Sequence, residues 1–467
     1  MRAAARKNGV DEGGIRVVIQ PGQRVFYHAV NPALESPWDV LIIGGGPAGA
    51  TAAILLARQG RRVLVVEKEI FPRFHVGESL LPYNGPLFEQ LGVAEALRAA
   101  GFMVKRAAQF HSGAGSPGAR LTFAKGRFTE HPSAMQVQRD RFDQILLNAA
   151  RTAGAEVREG CSAGACVTDA DGVAVELRAA DGTREPVRAR FVMDASGMST
   201  LTARAAGLKE ARAGHSKVAL FSHFDNVEMP TGEELGDIIL LLRDQAWVWL
   251  IPLTETRTSV GLVMDRSEFD SGRGDLEGLW DRIVRETPDL ARRLSAAIRV
   301  GKLHVEADYS YEVKKIVEPR LVRIGDAAGF LDPVFSSGVM LAMESAVEAS
   351  AAVAQALDRG ATMTRALRRY EAHLRDHLAL FWRFVRVFYT RPFVELFLQP
   401  RPKWDLLSGI NAVLAGRSRL PWTARWRLEV FFLLVKLQSW YPVVPRLRWS
   451  TGRPPTGRGF RPTTQAG

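Results

Sequence analysis

Two short unbroken apolar runs, residues 40–43 and 63–66, stand either side of a glycine-rich turn and an alanine-rich stretch near the start of the chain. Runs of this length suit strands buried on both faces of a parallel sheet. The interval between them predicts a helix over about 47–59. Residues 83–100 predict a helix, and 104–122 has strand character interrupted by Gly/Ser turns. Residues 136–149 open polar and become amphipathic, with Phe142, Ile145, Leu146 and Ala149 on one helical face. Strand-like alternation from Val157 leads to an apolar run over 189–193, which ends in Asp194-Ala195-Ser196-Gly197. Segments 218–221, 238–242, 246–251 and 259–263 predict strands, with one helix at 276–285, as in an antiparallel sheet that covers a pocket. A last buried strand is predicted at 321–325. Pro333 is expected to end the loop after it, and Ser336 or Ser337 to cap a long alanine-rich helix reaching about Leu357.

A chain of 467 residues has room for two or three domains. Its net charge of +12 is concentrated after residue 360, while the body is mildly acidic. That distribution argues against nucleic-acid binding by the fold as a whole. It points to an anionic partner for the basic end, an acidic protein or a membrane surface, with a solvated basic face as the plain alternative. Cys161 and Cys166 are the only cysteines and fit no metal or redox spacing, so no metal and a reduced cytoplasmic setting are expected, with peripheral membrane association as a further expectation. No apolar signal core and no run of membrane-spanning length is visible.

The first turn carries the chemistry. Gly44, Gly46 and Gly49 form GxGxxG between strand and helix, and Glu67 ends the second strand. The glycines allow the tight turn, close approach of a pyrophosphate and close helix–strand packing, and the acid offers an acceptor to a ribose hydroxyl. Residues 113–118 also fit GxGxxG, but no strand precedes them, and Pro117-Gly118 argues for a loop. Trp247 and Trp249 are two apart on a predicted strand and share a face, as a pocket wall or as ordinary core aromatics.

GxGxxG with Glu67, Asp194-Ala195-Ser196-Gly197 and Gly325-Asp326 together resemble the flavoprotein monooxygenase fold of the p-hydroxybenzoate hydroxylase class. Within it, Phe71-Pro72-Arg73-Phe74-His75-Val76-Gly77-Glu78-Ser79, Trp247-Val248-Trp249-Leu250-Ile251-Pro252 and Asp332-Pro333-Val334-Phe335-Ser336-Ser337-Gly338 resemble the flavin-dependent halogenases, in the branch acting on phenols, pyrroles and carrier-tethered substrates. The resemblance spans roughly 38–358. It implies an α/β fold: a Rossmann-like FAD-binding domain with a parallel sheet (38–206 plus 320–358, with an inserted β segment about 104–130), an antiparallel β-sheet substrate domain (207–319) and a basic helical C-terminal region (359–450). Composition, Gly-rich and basic at the start and Gly/Pro-rich at the end, predicts a disordered leader (1–37) and a disordered tail (451–467).

The resemblance also implies residue roles. Gly44, Gly46, Ala48 and Gly49 would hold the FAD pyrophosphate, Glu67 with neighbouring Lys68 the adenosine ribose, and Arg139 the flavin phosphates. Asp326 would bind the ribityl chain or pyrophosphate, Pro333, Gly338 and Val339 would approach the flavin, and Ser337 with Gly338 would line the halide position. Reduced FAD, expected from a separate flavin reductase, would react with O2 to a flavin hydroperoxide and turn chloride or bromide into hypohalous acid. Trp247 and Trp249 would wall the arene away from it, and His75, Glu78 and Ser79 complete the expected catalytic set. Three departures stand out. Ala246 replaces a usual glycine, Phe335 replaces the glutamate of the tryptophan-halogenase branch, and no lysine lies between Lys68 and Lys105, where the branch commonly has one beside the Gly-Glu-Ser loop. His75 could take over that lysine's work or simply anchor FAD. The missing lysine keeps a flavin hydroxylase, or a geranylgeranyl-reductase-like enzyme, as the alternative. The aromatic and basic stretches 381–389 and 422–440 could dock an acidic carrier protein or a membrane, or form the core of a helical region.

Overall fold

The computed structural model describes residues 37–447, apart from 114–117, 213, 215, 308–309, 400–404 and 418. The expected disordered leader and tail, and most of the second GxGxxG, lie outside the described residues.

Strand Trp38–Ile43 pairs in parallel with Val63–Val66 on one side and with Arg184–Asp194 on the other. Leu321–Arg323 and Glu156–Arg158 extend this parallel core within an eight-stranded sheet. Both faces are covered, which is why the runs are unbroken. Val40, Ile42, Val63 and Val65 pack into the main core with the alanine-rich helices Pro47–Ala57 and Gly338–Asp358. Leu41, Ile43, Leu64 and Val66 pack the other way, against Cys161, Val173, Val175 and Val187 of an antiparallel meander.

A second sheet of seven strands runs in the order Ile298–Ala307, Lys217–Asp225, Arg257–Asp265, Ala246–Pro252, Ile238–Arg243, Ala107–Ser112, Ala119–Thr122. It is antiparallel except where Ile238–Arg243 pairs in parallel with Ala107–Ser112. Its outer face buries Val248, Leu250 and Leu262 under Trp280 and Ile283 of helix Leu276–Arg285. The inner face carries Phe221, Trp247, Trp249 and Ile251, which join the main core. The period of two fixes this division, so both tryptophans face the nucleotide-binding sheet and its helices.

Several local expectations are corrected. The predicted helix over 83–100 is two short helices, Asn84–Gln90 and Ala94–Ala99, separated at Gly92 with φ +65°. Residues Ala134–Gln136 form a strand with Met103–Lys105, and the helix begins at Arg139. Its buried face carries Phe142, Leu146, Leu147 and Ala150 while Ile145 is only half-buried, because the helix is rolled to bury the Arg139–Asp143 ion pair. Pro333 opens a 3-10 turn, Pro333–Phe335, instead of closing the loop, and Asp332 Oδ1 accepts from Val334 N–H at 3.0 Å. Ser337 stands at the helix N-cap position without a side-chain cap bond, and Ser336 takes φ +56°, so neither serine caps the helix through its hydroxyl.

The C-terminal helices Arg365–Phe388, Arg391–Leu398 and Trp422–Trp440 split the aromatic stretches in two. Phe381, Phe384, Phe388, Phe393 and Phe431 are core, whereas Trp422, Trp440 and Tyr441 are exposed. Among the described residues no helix is long and apolar enough to cross a membrane.

Candidate active site

A cavity of about 590 Å³ separates the glycine turn and the two helix N-termini from the inner face of the second sheet. Of the residues given a cofactor, halide or catalytic role in the sequence, all but Gly49 line it. Gly49 works from behind: a Cβ there would stand 1.9 Å from Gly44 O, so only glycine lets the helix lie this close to the strand. Gly44 has φ +105°, and a Cβ there would stand 2.4 Å from Ala195 O. At Gly46 the nearest atom to such a Cβ is Arg73 Nη2 at 3.6 Å, which leaves the backbone of the turn open to the cavity.

The acid at the end of the second strand is tied to this turn. Glu67 Oε2 accepts from Gly45 N–H at 2.7 Å and Oε1 from Glu69 N–H at 3.0 Å. Lys68 beside it is exposed and pairs with Glu69 at 3.6 Å. The Asp-Ala-Ser-Gly turn is held from within by Asp194, whose Oδ1 accepts from Ser196 N–H and Oδ2 from Thr202 N–H.

Arg139 donates to both Asp143 oxygens, at 2.8 and 2.9 Å, and to Val76 O at 2.8 Å. Burial opposes a charge on Asp143, but the Arg139 guanidinium prevails and holds the carboxyl below its usual range. Arg73, which the sequence reading overlooked, brings Nη1 to 3.0 Å from Asp143 and stacks on Phe71. Two guanidiniums therefore share the Asp143 carboxylate at the cavity wall, and Arg73 Nε also lies 3.7 Å from Glu69. His75 is exposed to the cavity, yet the protein packed around it, and then the Arg139 cation, press its pKa down to about 4, so its ring is neutral at pH 7. Burial pushes the Asp326 carboxyl up to about 7, with Arg139 pulling the other way.

The 21-residue helix Gly338–Asp358 opens into the same space. Ser337 and Val339 are buried in its first turn, and a Cβ on Gly338 would meet nothing within 4 Å. Its unpaired N–H groups and positive end suit an anion. Phe335 points elsewhere: it packs edge-on against Phe384 and Phe388 of the C-terminal layer.

Opposite stand the two tryptophans. Trp247 Nε1 donates to Tyr389 Oη at 2.8 Å, and Tyr389 donates in turn to Asp332 Oδ2 at 2.7 Å. Trp249 Nε1 donates to Ser259 Oγ at 3.2 Å. The cross-strand partner of Trp249 is Gly261, where a Cβ would stand 2.1 Å from the indole. Glycine inside a strand signals such an approach. Tyr389 gave no comparable signal, because it comes from the far end of another helix.

The loop that lacks a lysine receives one from a neighbouring strand. Lys105 Nζ donates to Ser79 Oγ at 2.8 Å and to Leu80 O at 3.0 Å. Its side chain is buried, and burial lowers its pKa to about 7 against the pull of Asp237. Ser79 lines the cavity with Lys105 behind it. Glu78 also lines the cavity, and its Oε1 lies 2.7 Å from His223 Nε2.

These features fit FAD. The volume lies in the range of cofactor sites, the glycines keep backbone free at two helix starts, and carboxylates and guanidiniums line the same space. The comparisons agree. Residues 37–385 match the FAD binding domain family. The 1H-pyrrole-2-carbonyl-[peptidyl-carrier protein] chlorinase of Pseudomonas fluorescens is 33% identical over 414 residues, covering 83% of this chain and 91% of that protein. The corresponding brominase of Pseudoalteromonas luteoviolacea is 33% identical over 329 residues, 69% of this chain and 78% of that one. The solved structure of flavin-dependent brominase Bmp2 superposes with a TM-score of 0.76 at 27% identity, covering 85% of this chain and all of that one. The chain belongs to the FAD-binding-domain flavoproteins and, within them, to the flavin-dependent halogenases.

Proposed function

We propose that this halogenase acts on an electron-rich arene, a phenol or pyrrole, free or tethered to an acidic carrier protein, with chloride or bromide as co-substrate and reduced FAD delivered by a separate reductase. The carrier-tethered form is supported by the activities named for the two relatives above. The outer face of helix Trp422–Trp440 exposes Trp422, Leu433 and Trp440 with Arg425 and Lys436, beside Glu429, and suits a partner with apolar and acidic groups.

FAD, when bound, supplies the oxidation that converts halide to hypohalous acid. The chain places and directs it. The N–H groups at the start of helix Gly338–Asp358, with Ser337, hold the halide. Trp247 and Trp249, fixed by Tyr389 and Ser259, keep the arene from the flavin side. Lys105, buried behind the cavity wall with a pKa near 7, donates to Ser79 Oγ and so positions that hydroxyl to hold hypohalous acid for attack by the arene. The Lys105–Ser79 contact is the observation that carries this reading, because it supplies the group the loop sequence lacks.

The test is product mass spectrometry. Enzyme, reduced FAD, O2 and bromide are incubated with phenols and pyrroles, free and carrier-loaded. Brominated products that vanish in Lys105→Met are expected. Hydroxylated products without brominated ones would sink the proposal.

A further inference from the structure

The roles above leave Glu78 and His223 without a task. Glu78 is 2% exposed, and its Oε2 takes no hydrogen bond from the described residues, while Oε1 meets His223 Nε2 at 2.7 Å. His223 stands on strand Lys217–Asp225 with its side chain 21% exposed. The pair therefore runs from a buried carboxylate at the cavity to an imidazole that reaches water. The charged and titratable groups around it are Arg139 on the Glu78 side, and Asp225 and His304, with Lys302 beyond, on the His223 side. Phe74 covers the His223 ring edge-on at 5.6 Å. A carboxylate backed by a solvent-reaching imidazole can accept a proton and hand it on.

We infer that Glu78 and His223 form a proton relay that takes the hydrogen from the hydroxyl oxygen of the arene and exchanges it with solvent, which favours a substrate bearing an acidic O–H, a phenol. The inference rests on the halogenase reading for its oxidant. The phenol O–H bond breaks, its proton goes to Glu78, and His223 releases one to water. The electron-rich ring then forms a C–X bond to hypohalous acid as the X–O bond breaks. The departing hydroxide takes a proton and becomes water. The ring C–H proton is lost while the oxygen regains one. Phenol and hypohalous acid thus give halophenol and water. The ring loses two electrons, and the halogen gains them.

The relay is tested in turnover with holoenzyme that retains FAD. Glu78→Gln and His223→Ala should each brominate a phenol about tenfold more slowly, and His223→Ala should recover with added imidazole. The loss should be clearly smaller with the O-methylated phenol, which has no proton to give. Equal loss with the methyl ether, or no recovery of His223→Ala with imidazole, would overturn the relay. The halogenase reading is judged separately, from hypobromous acid released by the wild type with no arene present.

Discussion

On one side of the cavity the wall is mostly backbone: the turn at Gly44 and Gly46, the first N–H groups of two helices, and Glu67 locked onto Gly45 and Glu69. Elsewhere it is mostly side chain: Trp247 and Trp249, with Tyr389 holding Trp247, and Glu78 and Ser79, backed by His223 and Lys105. The first wall is built from one β–α–β crossover and the start of helix Gly338–Asp358, and at Gly44 and Gly49 it tolerates no added atoms. The second is assembled from five distant segments and is held by single hydrogen bonds. Damage to the first should therefore show as lost folding or lost FAD, and damage to the second as lost or misdirected chemistry with FAD retained.

The largest expected effect lies on the side-chain wall. Lys105→Met should lower bromination by roughly 100- to 10,000-fold with FAD affinity unchanged, as read by single-turnover kinetics and flavin titration. Loss of FAD binding in that variant would erase the distinction between the walls. On the backbone wall, Gly49→Ala drives a methyl group into Gly44 O and should cost about 3 kcal/mol with loss of bound FAD, seen by thermal unfolding and by absorbance of the purified protein. Gly261→Ala crosses the divide, since a backbone position there makes room for an indole. It should cost about 2 kcal/mol and displace Trp249, with FAD retained and tryptophan fluorescence altered.

Tyr389→Phe removes the hydroxyl joining Trp247 to Asp332. It should cost about 1 kcal/mol and slow halogenation severalfold. The subtlest expectation concerns a slope. Because burial raises the Asp326 pKa to about 7, the folded apoprotein favours the neutral carboxyl. That contribution is fully present below the unfolded value near 4 and is lost as pH rises through 7. Melting temperatures of wild type and Asp326→Asn should therefore diverge between pH 4 and 7, with the wild type falling relative to the variant, and run parallel above that. Parallel curves throughout would place Asp326 in a wetter site.

The backbone wall was legible because its signals are local. A strand, three spaced glycines, a helix and an acid follow one another, and each steric need falls on a neighbour in sequence. The alternation that puts Trp247 and Trp249 on one face was legible for the same reason. Lys105 was not, although it was noted as the next lysine along. Its arrival depends on Met103–Lys105 pairing with Ala134–Gln136 beside the Gly-Glu-Ser loop. His223 and Tyr389 gave no signal, since one is a single polar residue in an apolar strand and the other closes a helix. The serine-cap expectation failed because Ser337 already takes helical φ and ψ and Ser336 a left-handed conformation.

By itself, then, the order of residues determined the nucleotide crossover, the two-sided burial of its strands and the shared face of the tryptophans, since all three follow from spacing along one chain segment. Only the tertiary structure decided which lysine meets Ser79, which histidine backs Glu78 and which tyrosine steadies Trp247. Those contacts join residues far apart in the chain, and a side chain's reach across a cavity is set by sheet register and helix docking, which no local pattern encodes.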